Sequence, residues 1–381
     1  MKNYFGITIG PIFKTLEKAR KTRELWAASY LFSYLMKLLI KKFKAQSATF
    51  VVPYIGMVEG KGDSPHDILS SPNEAGIFAD RCVFFFPDKE DLKLEDIEKS
   101  ILKVKEEIFE SIDHHLKAHF KTSGSQGVYN RAKAKNYFFN YFQIYAASKP
   151  FETRISEENY TNIGALVKEL FDVLDLLELQ NNFVQIEDVP YLESLLTYAS
   201  FRRNAELSFL VEDAYGDQVN SLRFESIIEI AAKELIEKLN AADKAEFLNF
   251  IGDDDKSDDT IAFLARKKPD LFKTYHKYIA ILHIDGDGIG KCLVEIEDAN
   301  YKAISKALME YSLVSAAKIK DFGGVPIYLG GDDALFFAPL RYNERDLFHL
   351  LDELDQLFLD KMAPFNLKEN VSLSVGVSVG Y

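Results

Sequence analysis

Residues 276–381 carry an order of segments that few folds accept. The stretch 278–287 (YIAILHIDGD) has the apolar run of a buried strand and ends in carboxylates. A helix is expected across 299–320, followed by Gly323 and Gly324. The stretch 325–340 (VPIYLGGDDALFFAPL) reads as a hairpin, two apolar strands meeting at Gly330-Gly331-Asp332-Asp333. A second helix is expected over 343–362, and 371–381 (VSLSVGVSVGY) alternates apolar and small residues as a last strand. The order β-α-β-β-α-β is the split-βαβ, ferredoxin-like unit.

In that unit the first strand and the central hairpin lie side by side. Asp285 and Asp287 end one, and Asp332 and Asp333 sit on the turn of the other. Four carboxylates on one edge repel each other unless cations compensate. Mg²⁺ or Mn²⁺ would be held by one or two of them together with substrate phosphates, and two such ions clamp the oxygens of an in-line displacement. Gly330 and Gly331 permit a tight turn, while Gly286 and Gly288 let a triphosphate approach exposed N–H groups. Lys291 stands close enough in sequence to neutralise such a ligand. Either motif alone is as well read as an ordinary turn. Together, at adjacent strand ends, they indicate metal-assisted nucleotidyl transfer by Asp285, Asp332 and Asp333.

The N-terminal block shows much of the same order. Strand patterns at 4–9, 48–55 and 76–86 alternate with helical patterns at 13–43 and 90–120. The middle has helical runs such as 163–178 and 205–250 and no clear strand alternation. It opens on a Gly/Ser segment at 121–127 and nearly closes on an acidic stretch at 252–259, read as a solvated turn. The expected fold class is α+β, with two ferredoxin-like units flanking a helical insert, at 1–120, 121–275 and 276–381.

A net charge of −13 is wrong for a chain that grips nucleic acid across its own surface, so partners would carry most of any RNA. Two cysteines, Cys82 and Cys292, are too few for a disulfide framework or a Cys-rich zinc site. No run is apolar enough to span a membrane and the N-terminus is not a signal peptide, so the expected location is cytoplasmic.

The GGDD hairpin after a D-x-D strand resembles the palm of the large, polymerase-like subunit of type III CRISPR effector complexes. Residues 9–35 (IGPIFKTLEKARKTRELWAASYLFSYL) resemble the Gly-Pro…Ala-Arg-Lys-Thr-Arg-Asp-Leu-Trp segment of the type III-B (Cmr) branch. Residues 71–78 (SPNEAGIF) resemble that branch's Pro-Asn motif. The resemblance implies two facing palms, two nucleotides between them, Cmr partner subunits, and activation by target RNA paired to crRNA. It implies that a 3′-hydroxyl attacks the α-phosphate of ATP to make cyclic oligoadenylate, a second messenger. By position Asp285, Asp332 and Asp333 would hold metal, and Ser305 would face the adenine.

This sequence departs from the pattern in several places. It begins directly at the first palm, so no HD nuclease, and no DNA cleavage, is expected; His66-Asp67 reads as a chance pair. The insert lacks the zinc-binding cysteines of many relatives, and no zinc is expected. Asp113-His114-His115…His119 reads as a charged helix surface rather than a metal site. Pro72 and Asn73 are followed by Glu74, where relatives carry a basic residue. An acidic acceptor pocket would suit a cation such as S-adenosylmethionine, the alternative being a surface Glu paired with a nearby Lys. Two rival readings are a non-catalytic scaffold subunit of the same assembly and a GGDEF-like diguanylate cyclase.

Overall fold

The computed structural model describes residues 2–59, 65–89, 91–122, 128–151, 163–179, 189–199, 209–216, 224–251, 257–296, 298–367 and 369–381. In the N-terminal half, β1 (Lys2–Gly10), α1 (Thr22–Ala45), β2 (Thr49–Val52), β3 (Arg81–Phe85), α2 (Leu94–Thr122) and β4 (Gln143–Phe151) succeed one another. Their strands make one antiparallel sheet in the order β2-β3-β1-β4. After α3 (Ile163–Glu178) and a series of shorter helices, the C-terminal unit runs β5 (Ile279–Asp287), α4 (Asp298–Asp321), β6 (Val325–Gly330), β7 (Asp333–Pro339), α5 (Leu347–Met362) and β8 (Ser372–Gly380). Its sheet order is β8-β5-β7-β6. Within each unit the first strand lies between the third and the fourth, with the second outside the third. The two units therefore share one topology, that of the split-βαβ fold.

One strand stands where the sequence pattern gave none. β4 closes the first sheet beside β1 and falls inside the stretch read as helical from 121 onward. Its sequence, QIYAASKPF, carries Lys149 and Pro150. Both suit an edge strand, where an outward backbone needs no ladder partner and a charge discourages further pairing. The segments 121–127 and 252–259 lie largely outside the described residues; a helix, Ser257–Lys267, begins within the second.

β1 is buried from Tyr4 to Ile9 because helices cover both faces, which explains its unbroken apolar run. Phe5, Ile7 and Ile9 join the core formed with α1 and α2, whereas Tyr4 packs with α3 residues Leu166, Leu170 and Leu174. The 13–43 pattern resolves into two helices in series, Ile12–Leu16 and α1. α1 is buried without a break from Trp26 to Ser33, more than an amphipathic stripe requires. The cause is tertiary: α1 also packs against the second unit, sharing a core with Ile279, Met309, Ile327 and Phe337. Its two polar residues there are satisfied, Ser29 Oγ donating to the Ile327 carbonyl (3.2 Å) and Ser33 Oγ accepting from the Phe78 N–H (3.0 Å).

In the second sheet α4 and α5 cover the face carrying Ala280, Leu282 and Ile284. The alternate residues Ile281, His283 and Asp285 point the other way and are exposed. The units are also stitched through the backbone, where Leu329 N–H donates to the Gly76 carbonyl at 2.8 Å.

Candidate active site between the two units

The site begins with register. β5 and β7 pair through Ile284↔Ala334, so the next step sets Asp285 opposite Asp333. Like charges directly opposed across strands are unfavourable. Asp333 keeps a hydrogen bond to Asp285, and its carboxyl is pushed up to about 7, by burial first and then by the charges of Asp332 and Asp285. Asp332 is pushed up to about 6, again by burial and then by Asp285.

The hairpin turn explains how Asp332 gets there. Gly330 pairs with Asp333, leaving Gly331 and Asp332 at the centre, and Gly331 has φ +81°. A left-handed first central residue is the type II′ arrangement, for which glycine is the natural choice. Asp332 then lies over Gly286; a Cβ on that glycine would stand 2.5 Å from the Asp332 Cβ. Gly286 is thus required by close approach. Gly288, also left-handed at φ +83°, would bring a Cβ within 2.4 Å of the Asn370 carbonyl oxygen.

Of the four expected carboxylates the structure brings three together. Asp287 sits at the end of β5, bonded to Ser374 of β8, and it is Asp285 that acts on Asp332. Lys291 is exposed on the short helix Ile289–Glu295 just beyond. Among the described residues no three His, Cys, Asp or Glu side chains form a ready-made metal cage. A divalent cation nevertheless fits what is present. The donors are hard oxygens, Asp332 and Asp333 are held toward their protonated forms by burial and then by neighbouring carboxylates, and Mg²⁺ needs few carboxylates when phosphates complete its shell.

Asp333 lines a cavity of about 480 Å³ between the units, within the range of small-molecule sites. Its walls come from the end of β1 and the short helix that follows (Gly10 to Lys14), from α1 (Ser29, Phe32, Ser33), and from Phe78, Asp80, Tyr145, Glu178, His283 and Tyr328. Asp80 is the carboxylate that sequence reading missed. Ile9 N–H donates to its carbonyl at 3.0 Å, which places it opposite Ile9 as Asp333 stands opposite Asp285. It is the first unit's counterpart of Asp333, its carboxyl raised by burial. Tyr328 was missed too, although alternation along β6 places it on the face of Gly330. Burial, with Asp80 and Asp333 nearby, holds its hydroxyl well above the ordinary range.

The other expected residues lie elsewhere. Pro72, Asn73 and Glu74 line a separate 130 Å³ recess against α4. Asn73 is buried, bonded to His66 and to the Ile68 carbonyl. Glu74 pairs with Lys320, the surface arrangement weighed against an acceptor role. Ser305 Oγ accepts from the Tyr54 N–H at 2.8 Å and so ties α4 to the first unit. Asp113 and His115 use their polar atoms on protein partners, Tyr129, Arg131 and Lys117 for the first and Ser111 and Phe209 for the second.

Two family models match the chain. The family model for the second palm domain of Cas10/Cmr2 matches residues 278–381, and that for the Cmr2 N-terminal region matches 4–120. No curated protein matches the chain. Among solved structures it resembles type III-B Cmr-beta bound to cognate target RNA (TM-score 0.61, 12% identity, covering 94% of this chain and 62% of the other). It also resembles Cmr-beta in the apo state (0.57, 11%, 93% and 61%) and the Csm1-Csm4 cassette in complex with cA4 (0.50, 10%, 99% and 49%). The chain thus spans less than two thirds of the length of these relatives. With both models matched in order on the two like-folded units, the chain belongs to the Cas10/Cmr2 family of palm-domain subunits of type III CRISPR complexes.

Proposed function

We propose that the chain is the signalling nucleotidyltransferase of an RNA-guided type III complex, joining AMP units from ATP into an adenylate messenger. The observation that carries this reading is the crowding of Asp285 and Asp332 around Asp333, which itself lines a cavity to which both units contribute. The donor ATP would lie on the second unit and the acceptor on the first. Bound at Asp285, Asp332 and Asp333, divalent metal would neutralise phosphate charge and polarise the α-phosphate. The chain's own part is to hold the carboxylates in place, give the triphosphate backbone N–H groups around Gly286 to Gly288, and shelter the reacting groups from water. The new bond joins an acceptor hydroxyl oxygen to the α-phosphorus, and pyrophosphate leaves. Partner Cmr subunits, crRNA and target RNA belong to this proposal, as does the cyclic form of the product. The test is labelled ATP with the assembled complex and target RNA, read by mass spectrometry; absence of any adenylate product refutes the reading.

A second acceptor, S-adenosylmethionine, keeps a specific observation in its favour, though not the expected one. Glu74 is neutralised by Lys320 and lies outside the large cavity. Asp80 and Glu178 do line it; both reach Arg81 (3.9 and 3.1 Å), and with Asp333 the three carboxylates still outnumber Arg81 and Lys14. A cationic acceptor would find this wall favourable. Adding S-adenosylmethionine to the same assay decides between the two: an unchanged product pattern excludes it.

A further inference from the structure

We infer that Ser312 is a positioning residue for the metal-binding turn, fixing the orientation of the Gly331 peptides and with them Asp332 and Asp333. The inference rests on the metal reading of the site given above. In a type II′ turn the two central residues do not share the hairpin's ladder bonds, so their N–H and C=O groups need outside partners when water is excluded. Ser312, in the middle of α4 and fully buried, supplies them. Its Oγ accepts from the Gly331 N–H at 2.9 Å and lies 3.3 Å from the Gly331 carbonyl oxygen. The hydroxyl proton is shared between that carbonyl and the Leu308 carbonyl, 3.1 Å away. One side chain therefore touches both polar groups of the left-handed residue that precedes the two aspartates.

The helix that carries Ser312 is itself tied down on either side. Ser305, seven residues earlier, takes the Tyr54 N–H, and Lys320, eight residues later, pairs with Glu74. Tyr54 and Glu74 both belong to the first unit, so α4 is set by the first unit at two places and sets the turn at a third. Ser305, read from sequence as an adenine contact, is one anchor of this strut.

The test compares Ser312→Ala, Ser312→Thr and Ser315→Ala with the wild-type chain. Ser315 is as buried as Ser312 and sits on the same helix, so its loss controls for general damage. Mn²⁺ binding is titrated by electron paramagnetic resonance in the presence of a non-hydrolysable ATP analogue, with thermal melting recorded alongside. Ser312→Ala should weaken Mn²⁺ binding by about 10- to 100-fold, the usual effect of losing a group that orients metal ligands. Ser312→Thr should recover most of it, and Ser315→Ala should stay near wild type. Unchanged Mn²⁺ affinity in Ser312→Ala, or an equal loss in Ser315→Ala, overturns the inference. Failure of the wild-type chain to bind Mn²⁺ with the analogue would instead remove the metal reading and this inference with it. If the wild-type chain binds Mn²⁺ yet makes no product, the inference survives and the proposed function does not.

Discussion

Asp333 and Asp332 retain protons that a solvent-exposed aspartate would have lost well below neutral pH, and this has a definite sign. Both folded-state pKa values, about 7 and about 6, lie above the unfolded value near 4. Their contribution to stability is therefore intact below about pH 4 and is lost as pH rises through 6 to 7. Without divalent cation the melting temperature should fall between pH 5 and pH 8, and Mg²⁺ or Mn²⁺ should restore it at the upper end. Thermal melts across pH, with and without metal, check this; a flat profile speaks against the crowded pair. Asp333→Asn should be more stable than wild type at pH 8 without metal, by on the order of 1 kcal/mol once screening is allowed for, while losing activity. Glu74→Gln tests the displaced role of that residue. Its ion pair with Lys320 is partly exposed, worth about 0–1 kcal/mol, and the product of the assembled complex should not change. A new product from Glu74→Gln would return that residue to the acceptor site.

The β6–β7 hairpin and the end of β5 work as one element, because Asp332 occupies the space a side chain at position 286 would need. Gly286→Ala should displace Asp332 and reduce activity by up to about 100-fold, the scale expected of an ångström-level misplacement. Circular dichroism should remain that of the wild type; activity within twofold of wild type would show that the turn can shift freely. Much of this element was legible in the sequence. The apolar run of 278–287 marked a buried strand with Asp285 and Asp287 at its end, and Gly330-Gly331 announced the turn. Ser312 was not legible, because nothing in ISKALMEYS distinguishes a serine that grips a turn from one that caps nothing. Its role depends on α4 crossing that hairpin, a packing fact. β4 was illegible for the opposite reason: an edge strand tolerates Lys149 and Pro150, which erase the pattern that marks an interior strand.

Across the whole molecule, two units of the same topology have unequal chemistry. The first carries Ile9-Gly10-Pro11 where the second carries Asp285-Gly286-Asp287, and it retains one carboxylate, Asp80, at the place of Asp333. That division suits a donor on one unit and an acceptor on the other, with α1 filling the core between them. The sequence pattern exposed the duplication but not the cavity, since Phe13, Ser29, Asp80 and Tyr328 are far apart in the chain and meet only through the packing of two sheets. Asp80→Asn should thus impair acceptor use while leaving donor ATP affinity within about threefold, a KM-level separation measurable with labelled analogues. The most direct measurement of the central claim is α-labelled ATP incubated with the chain in its assembled, target-RNA-bound complex, for wild type and for the Asp332→Ala, Asp333→Ala double variant. The account predicts an adenylate product with release of pyrophosphate from the wild type and at least about a 100-fold loss from the variant, with assembly intact. Equal product from both, or none from either, would contradict it.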